Sequence, residues 1–309
     1  MSIAFVFPGQ GAQYIGMAKE ICSQYPKSAE IFKLASEALK IDMEEMVFNG
    51  DEETLKITEN TQPAILTASI ACLQPILDAG IEAAYTAGLS LGEYAAHVYS
   101  GTFTFSEAVK LVKKRGRFMQ DAVPAGVGSM AAIVGLGRED LLQVCEQAKE
   151  FGVAEPANFN CPGQIVISGE VLAIEKASAM ALEKGAKRVI PLAVSAPFHS
   201  SLLISAGDML EVEMENVDIQ NMKVPVVTNI SGEIVQEGHA RQTLVQQVSN
   251  SVLWEDCVQT MIALGVDTFI EIGPGKVLSG FIKKINKDVT TLNVEDMASL
   301  EATLKFLKG

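Results

Sequence analysis

Short apolar runs alternate with stretches whose apolar residues recur every three to four positions through the first part of the chain. That rhythm predicts an α/β sheet covered by helices. Ile3–Phe7 and Ala84–Leu89 read as strands, the first cut off by Pro8-Gly9. Ser106–Ala122 reads as an amphipathic helix with Ala108, Leu111, Val112 and Phe118 on one side and Lys110, Lys113, Lys114 and Arg117 mostly off it, stopping before Pro124. From Gly128 the rhythm changes. A strand pattern (Met130–Val134), a helix (Arg138–Glu150), two strands (Val153–Asn160 and Gln164–Ser168), a helix (Val171–Lys184) and a last strand (Arg188–Val194) give the order β-α-β-β-α-β of ferredoxin-like domains. The tail resumes the first rhythm, with strand patterns at Val224–Ile230, Thr268–Ile272 and Thr290–Val294. The expected fold is therefore α/β. A large hydrolase-like α/β domain over residues 1–124 and 198–309 is interrupted by a small ferredoxin-like domain at 125–197, with the site in the cleft between them.

A chain of 309 residues, 48% hydrophobic, has enough apolar surface for such an arrangement. Its net charge of −14 argues against a nucleic-acid partner, which requires clustered Lys and Arg facing phosphates. The longest apolar region, Pro63 to Leu77, is interrupted by Thr67, Ser69, Gln74 and Pro75, too short and too polar to span a bilayer. Cys22, Cys72, Cys145, Cys161 and Cys257 are odd in number and scattered, so they read as reduced thiols. The N-terminus lacks the basic region of a signal peptide. A cytoplasmic protein is expected.

The strongest chemical signal is Gly88-Leu89-Ser90-Leu91-Gly92, a serine between two glycines after a strand and before a helical pattern. This is the layout of a nucleophile elbow, a turn so tight that only small residues fit on either side. A serine nucleophile needs a base, and the chain offers His97, His199 and His239. His97 lies about two helical turns, ~10 Å, beyond Ser90 and cannot reach it. His239 sits in the polar stretch Glu237–Ala240 and reads as a solvated loop residue. His199 falls at the seam where the small domain rejoins the large one; position alone leaves it open between a base and a packed or capping histidine. The backbone N–H of Leu91, next after the nucleophile, is a natural oxyanion donor.

Phe7-Pro8-Gly9-Gln10-Gly11-Ala12-Gln13, Gly88 to Tyr94, Lys114 to Gln120, Asn158 to Gly169, Phe198-His199-Ser200, Gln247 and Gly273 to Leu278 together resemble the malonyl-CoA:acyl carrier protein transacylases over essentially the whole chain. The resemblance implies Ser90 as nucleophile and His199 as its base, with the Gln247 backbone carbonyl orienting the ring as an aspartate does in triads. It implies the Gln10 N–H as second oxyanion donor beside Leu91, and Arg115 as the clamp for the free carboxylate of malonate. Without the resemblance, Arg115 reads as a surface residue of a basic run and Gln247 as a surface helix glutamine. Phe198 resembles the residue that, in acyltransferases of polyketide synthesis, accompanies malonyl over methylmalonyl choice, and Met119 a pocket-lining methionine; simple core packing is the alternative for both. Many members carry histidine where this chain has Leu89, so no auxiliary polar contact is expected there.

The implied reaction is a two-step transfer of malonyl from malonyl-CoA to the phosphopantetheine thiol of acyl carrier protein, by a monomer without metal or redox cofactor. An acidic carrier protein would require a local basic patch, with candidates at Lys113, Lys114, Arg117, Lys187, Arg188, Lys276, Lys283 and Lys284. Two other classes remain on the residues. An α/β-hydrolase esterase shares the Gly-x-Ser-x-Gly pattern but uses a late histidine, here only His239, and a glycine-rich oxyanion motif that is absent. A catalytically silent carrier-binding module would keep the fold, but not a reason for Ser90, His199 and Arg115 together.

Overall fold

The computed structural model describes residues 1–124, 126–194 and 196–308. Strands β1 (Ile3–Phe7) and β2 (Tyr85–Gly88) are followed by β3 (Gly128–Val134), β4 (Ala154–Cys161), β5 (Gln164–Glu170) and β6 (Arg188–Pro191). Then come β7 (Val226–Val227), β8 (Thr268–Ile272) and β9 (Thr290–Val294). They form two sheets, one parallel with order β7-β2-β1-β8-β9 and one antiparallel with order β4-β5-β3-β6. The second is the strand order of a split β-α-β-β-α-β unit. Ala125, the first residue of the expected small domain, and the terminal Gly309 lie outside the described residues.

β1 is central in the parallel sheet, and its alternate side chains enter two different cores. Phe5 and Phe7 face one layer of helices, Ala4 and Val6 the other. The apolar stretch around Pro63–Leu77 becomes part of a helix, Thr58–Asp78, that keeps Pro63 and Pro75 inside it and is buried on nearly all sides. A helix apolar all round is core; this one packs between the helices Pro26–Leu39 and Phe105–Asp121. No helix among the described residues is long and apolar enough to cross a membrane.

The helix expected at Ser106–Ala122 spans Phe105–Asp121, started by Thr104, whose side chain and Glu107 form a capping box. Two strands lose three or more residues of their apolar runs. The run Val224–Ile230 keeps only Val226–Val227, because Thr228 turns the chain back through Gly232 at φ +71°. The run Arg188–Val194 ends at Pro191.

The two sheets are tied together at β4. Val252, from the segment after Gln247, bridges Asn158 in parallel, giving its N–H to Ala157 O at 2.8 Å and accepting from Phe159 N–H at 2.9 Å. Arg138 pairs with Asp256 at 3.1 Å and lies over the Phe159 ring. The Glu155 carboxylate accepts from both the N–H and the hydroxyl of Ser201, at 2.7 and 2.8 Å.

Candidate active site

β2 ends at Gly88, and the chain turns through Leu89, Ser90 and Leu91 into the helix Gly92–Ser100. A Cβ on Gly88 would lie 1.9 Å from the Gly92 carbonyl carbon, and one on Gly92 would lie 2.1 Å from Phe7 O. The turn is therefore closed to any larger residue at either position, and Ser90 is held at φ +52°. This is the local geometry expected from the motif.

Ser90 Oγ lies 2.7 Å from His199 Nε2. On the other side of the ring, Nδ1 is 2.8 Å from the Gln247 carbonyl oxygen. A carbonyl can only accept, so the Nδ1 atom carries the hydrogen and Nε2 presents its lone pair to the serine hydroxyl. Burial pushes the His199 pKa down to about 4, the Arg115 charge adds to the shift, and the bond to the Gln247 carbonyl opposes it. The ring is thus neutral near pH 7, the form a general base requires.

Arg115 comes from the buried face of the helix Phe105–Asp121 and is 1% exposed. Its guanidinium donates to Gln62 Oε1 at 2.8 Å, Gln247 Oε1 at 3.0 Å and Ser90 Oγ at 3.2 Å. It also lies over the Tyr94 ring, 5.4 Å from its centroid. Among the described residues no carboxylate stands within ion-pair distance of it, and its Nε has no partner. Burial pushes its pKa down from the ordinary value, opposed by its neighbours Tyr94 and Glu93. An arginine stays charged under such conditions. The result is a buried cation aimed by neutral oxygens.

A cavity of about 530 Å³ brings Ser90, His199 and Arg115 together with Gln10, Leu91, Met119 and Phe198. Gln247 sits behind this wall, fully buried. A Cβ on Gly9 would lie 2.5 Å from Leu89 O, so the loop carrying Gln10 presses directly against the elbow. Neither the Gln10 nor the Leu91 backbone N–H is taken by a partner among the described residues. Leu89 lines the cavity with an apolar side chain. Phe198 is 7% exposed and Met119 2%, so each is core and cavity wall at once.

The other histidines fall outside the site. His97 is buried with Nδ1 3.0 Å from Thr102 Oγ1, and burial pushes its pKa down to about 3. His239 is exposed, 3.1 Å from Glu237 O. Among the described residues no group of three or more His, Cys, Asp or Glu side chains is placed to hold a metal, and all five cysteines are free.

Three site residues escaped the sequence reading. Gln62 holds Arg115 and donates to Met119 Sδ at 3.7 Å. Glu93 Oε2 accepts from Gln247 Nε2 at 2.7 Å and from Asn229 N–H at 2.9 Å. Burial raises the Glu93 pKa to about 7 against the pull of these hydrogen bonds. Asn229 Oδ1 accepts the Ser90 N–H at 2.6 Å. The available signal was a polar residue in an otherwise apolar pattern. Gln62 precedes the longest apolar region, Glu93 follows the second elbow glycine, and Asn229 sits in a strand-like run that asparagine disfavours.

A family model described as acyl transferase domain matches residues 4–302. Among curated proteins, the malonyl CoA-acyl carrier protein transacylase of Bacillus subtilis is 47% identical over 99% of this chain and 97% of its own length. That of Escherichia coli is 44% identical over 98% of this chain and 99% of its own. The crystal structure of the malonyl CoA-acyl carrier protein transacylase from Clostridium perfringens superposes with a TM-score of 0.97 at 49% identity, covering 100% of this chain and 98% of the other. A malonyl-transacylase in complex with a type II polyketide acyl-carrier protein matches with a TM-score of 0.96 at 40% identity, over 99% of this chain and 100% of the other.

Proposed function

The chain belongs to the acyl transferase family and, within it, to the malonyl CoA-acyl carrier protein transacylases, and on that premise we propose that it moves malonyl from malonyl-CoA to the phosphopantetheine thiol of acyl carrier protein through a malonyl ester on Ser90. In the first half-reaction Ser90 Oγ attacks the thioester carbonyl while His199 Nε2 takes its proton. The Gln10 and Leu91 N–H groups stabilise the tetrahedral oxyanion. Collapse breaks the C–S bond, and the imidazolium returns the proton to the departing coenzyme A thiolate. In the second half-reaction the carrier thiol gives its proton to His199 and attacks the ester carbonyl, and Ser90 leaves as the alcohol. The residues supply nucleophile, base and oxyanion donors, so the proposed reaction runs without metal or redox cofactor.

The observation that carries this reading is the placement of Arg115. A guanidinium buried beside the nucleophile, with only neutral oxygens as acceptors, can grip a second carboxylate with two parallel bonds. A generic ester substrate gives no reason for it. Burial is the main cause of the lowered His199 pKa and the Arg115 charge the second; binding malonate there neutralises that second cause, so the base strengthens as substrate enters. Phe198 on the cavity wall is proposed to crowd the α-carbon and favour malonyl over branched units.

The carrier protein is proposed to dock at the cavity mouth beside the helix Val277–Ile285. Lys113, Lys114 and Arg117 are each paired to an acid, Glu59, Glu213 and Asp121. Lys276, Lys283 and Lys284 have no acidic partner among the described residues, and Val277, Leu278 and Phe281 from the same segment line the cavity. Free thiols suit a reducing compartment. The proposal is of a cytoplasmic enzyme active as a monomer, with a large domain over 1–124 and 198–309 and a small one over 125–197.

The test is intact-mass analysis after mixing with malonyl-CoA. One malonyl adduct per chain, discharged by holo carrier protein, is the expected result. Hydrolysis without an adduct would favour an esterase, and no reaction at all a silent binding module.

A further inference from the structure

The strand beside β2 stops at Val227, yet the hydrogen bonds it would have made do not. β7 runs parallel to β2 with Val226 opposite Thr86 and Val227 opposite Ala87, and Thr86 N–H donates to Pro225 O at 3.0 Å. Continued in register, residue 229 would give its backbone N–H to Gly88 O and its carbonyl to Ser90 N–H. The Asn229 backbone does neither. Its N–H goes to Glu93 Oε2 at 2.9 Å, and its carbonyl accepts from Leu253 N–H at 2.8 Å. The Asn229 side chain makes both missing bonds instead, Nδ2 donating to Gly88 O at 2.8 Å and Oδ1 accepting from Ser90 N–H at 2.6 Å.

The amide can sit only this way round. Ser90 N–H and Gln247 Nε2 both donate towards the same atom, which must therefore be the oxygen, and Gly88 O can only accept. Among standard side chains a carboxamide carries donor and acceptor with peptide spacing at every pH, a carboxyl only while protonated. Its two bonds bracket Ser90, which is held in a left-handed conformation that costs a non-glycine residue about 1–2 kcal/mol.

We propose that Asn229 is a positioning residue of the transfer reaction: its side chain substitutes for strand backbone at the elbow and locks Ser90 so that Oγ meets His199 and the Leu91 N–H faces the cavity. The inference rests on the acyl-serine reading of the site. Asn229 touches no substrate in this scheme and acts through Ser90.

Asn229→Ala and Asn229→Asp test it with two readouts, the rate of Ser90 labelling by a fluorophosphonate and the single-turnover rate of malonyl adduct formation, both on protein whose folding is checked by thermal unfolding. Asn229→Ala is expected to slow both by about 10²-fold, the scale of a roughly 1 Å misplacement, with KM for malonyl-CoA and the malonyl-to-acetyl preference unchanged. Asn229→Asp gives a sharper signature. A protonated carboxyl can donate to Gly88 O and accept from Ser90 N–H as the amide does, whereas the carboxylate loses the donor. Its labelling rate relative to wild type should therefore fall as pH rises. Glu93, His199 and Cys257 face this region from their own elements and titrate in both proteins while Arg115 stays charged in both, so a pH-dependent ratio reports the new carboxyl together with the shift it imposes on these neighbours. Wild-type labelling rates in folded Asn229→Ala, or a pH-independent ratio for Asn229→Asp, would overturn the proposal. Should Asn229→Ala not fold, the Asn229→Asp ratio decides alone. Wild-type protein that labels with the fluorophosphonate but takes no malonyl would sink the substrate reading and leave the elbow result standing.

Discussion

Ser90 and His199 face each other across 2.7 Å, and both stand at positive φ, +52° and +60°, where non-glycine residues seldom sit. They are held there by different means. Within residues 85–94 the elbow is shaped by its own small neighbours, since Gly88 and Gly92 close the turn against each other and against β1. Residues 196–203 have no such neighbours. Their nearby bonds, Phe198 N–H to Ala196 O and Ser200 Oγ to Pro197 O, fold the loop but do not aim the ring. The aim comes from the Gln247 carbonyl and from Glu155 on β4, which grips Ser201. The turn that carries the proposed nucleophile is shaped sterically by a short segment and only pinned from outside by Asn229, whereas the proposed base is placed by the meeting of two sheets.

Breaking the elbow half should give the largest effect. Ser90→Ala is expected to abolish the malonyl adduct while the thermal unfolding midpoint stays close to wild type, because the half-buried hydroxyl faces the cavity and fills little of the core. An adduct persisting on the variant would move the nucleophile elsewhere. On the base half, His199→Ala should slow acylation by roughly 10²–10⁴ at neutral pH. His239→Ala should leave acylation at the wild-type rate, as expected for an exposed loop residue.

Arg115 reports on both halves, since it bonds Ser90 Oγ and the side chain of Gln247, the residue whose backbone carbonyl orients His199. Arg115→Ala should cost malonyl transfer about 2–5 kcal/mol in kcat/KM by leaving the malonate carboxylate unpaired. Acetyl transfer should be spared, because acetyl brings no charge for the guanidinium to meet. Lysine should rescue poorly, being a point charge on a flexible stem. Equal losses for both acyl groups would mean that Arg115 shapes the catalytic pair and does not choose the substrate.

A smaller effect separates the loop from the elbow. Glu155→Ala removes the grip on Ser201 and should lower acylation about tenfold, the worth of roughly 1.5 kcal/mol for a hydrogen bond to a charged group. Glu155→Gln, which still accepts from the Ser201 N–H, should retain most activity. Fluorophosphonate labelling should follow the same order if the loop aims the base. The smallest effect is a displacement along the pH axis. Acylation needs neutral imidazole, so it is lost as pH falls through the His199 pKa, about 4 in the unliganded site, where burial and then the Arg115 charge hold it down. A malonate carboxylate on Arg115 cancels the second cause. The acid limb at saturating malonyl-CoA should therefore lie at higher pH than the limb of kcat/KM. Coincident limbs would mean that the carboxylate does not reach Arg115.

Much of this was legible along the chain. The alternation of apolar runs with helical repeats predicts both sheets, because strand and helix periods are written into neighbouring residues. The elbow was legible for the same reason, its steric demand being met by residues two positions from Ser90. Where that local logic gives out, neighbouring residues no longer determine the structure. Val224–Ile230 reads as a strand, but the backbone of Asn229 finds better partners in Glu93 and Leu253, residues far away along the chain. Arg115 by itself reads as one member of a basic run; its burial against Gln62, Tyr94 and Gln247 exists only once the helices Thr58–Asp78 and Phe105–Asp121 pack together. The sequence by itself determined the elements, the elbow and, through its ordered motifs, the family. Only the tertiary structure decided that His199 is neutral with its lone pair on Ser90 and that Arg115 keeps its charge unpaired, because desolvation and hydrogen-bond geometry depend on groups brought together from distant parts of the chain.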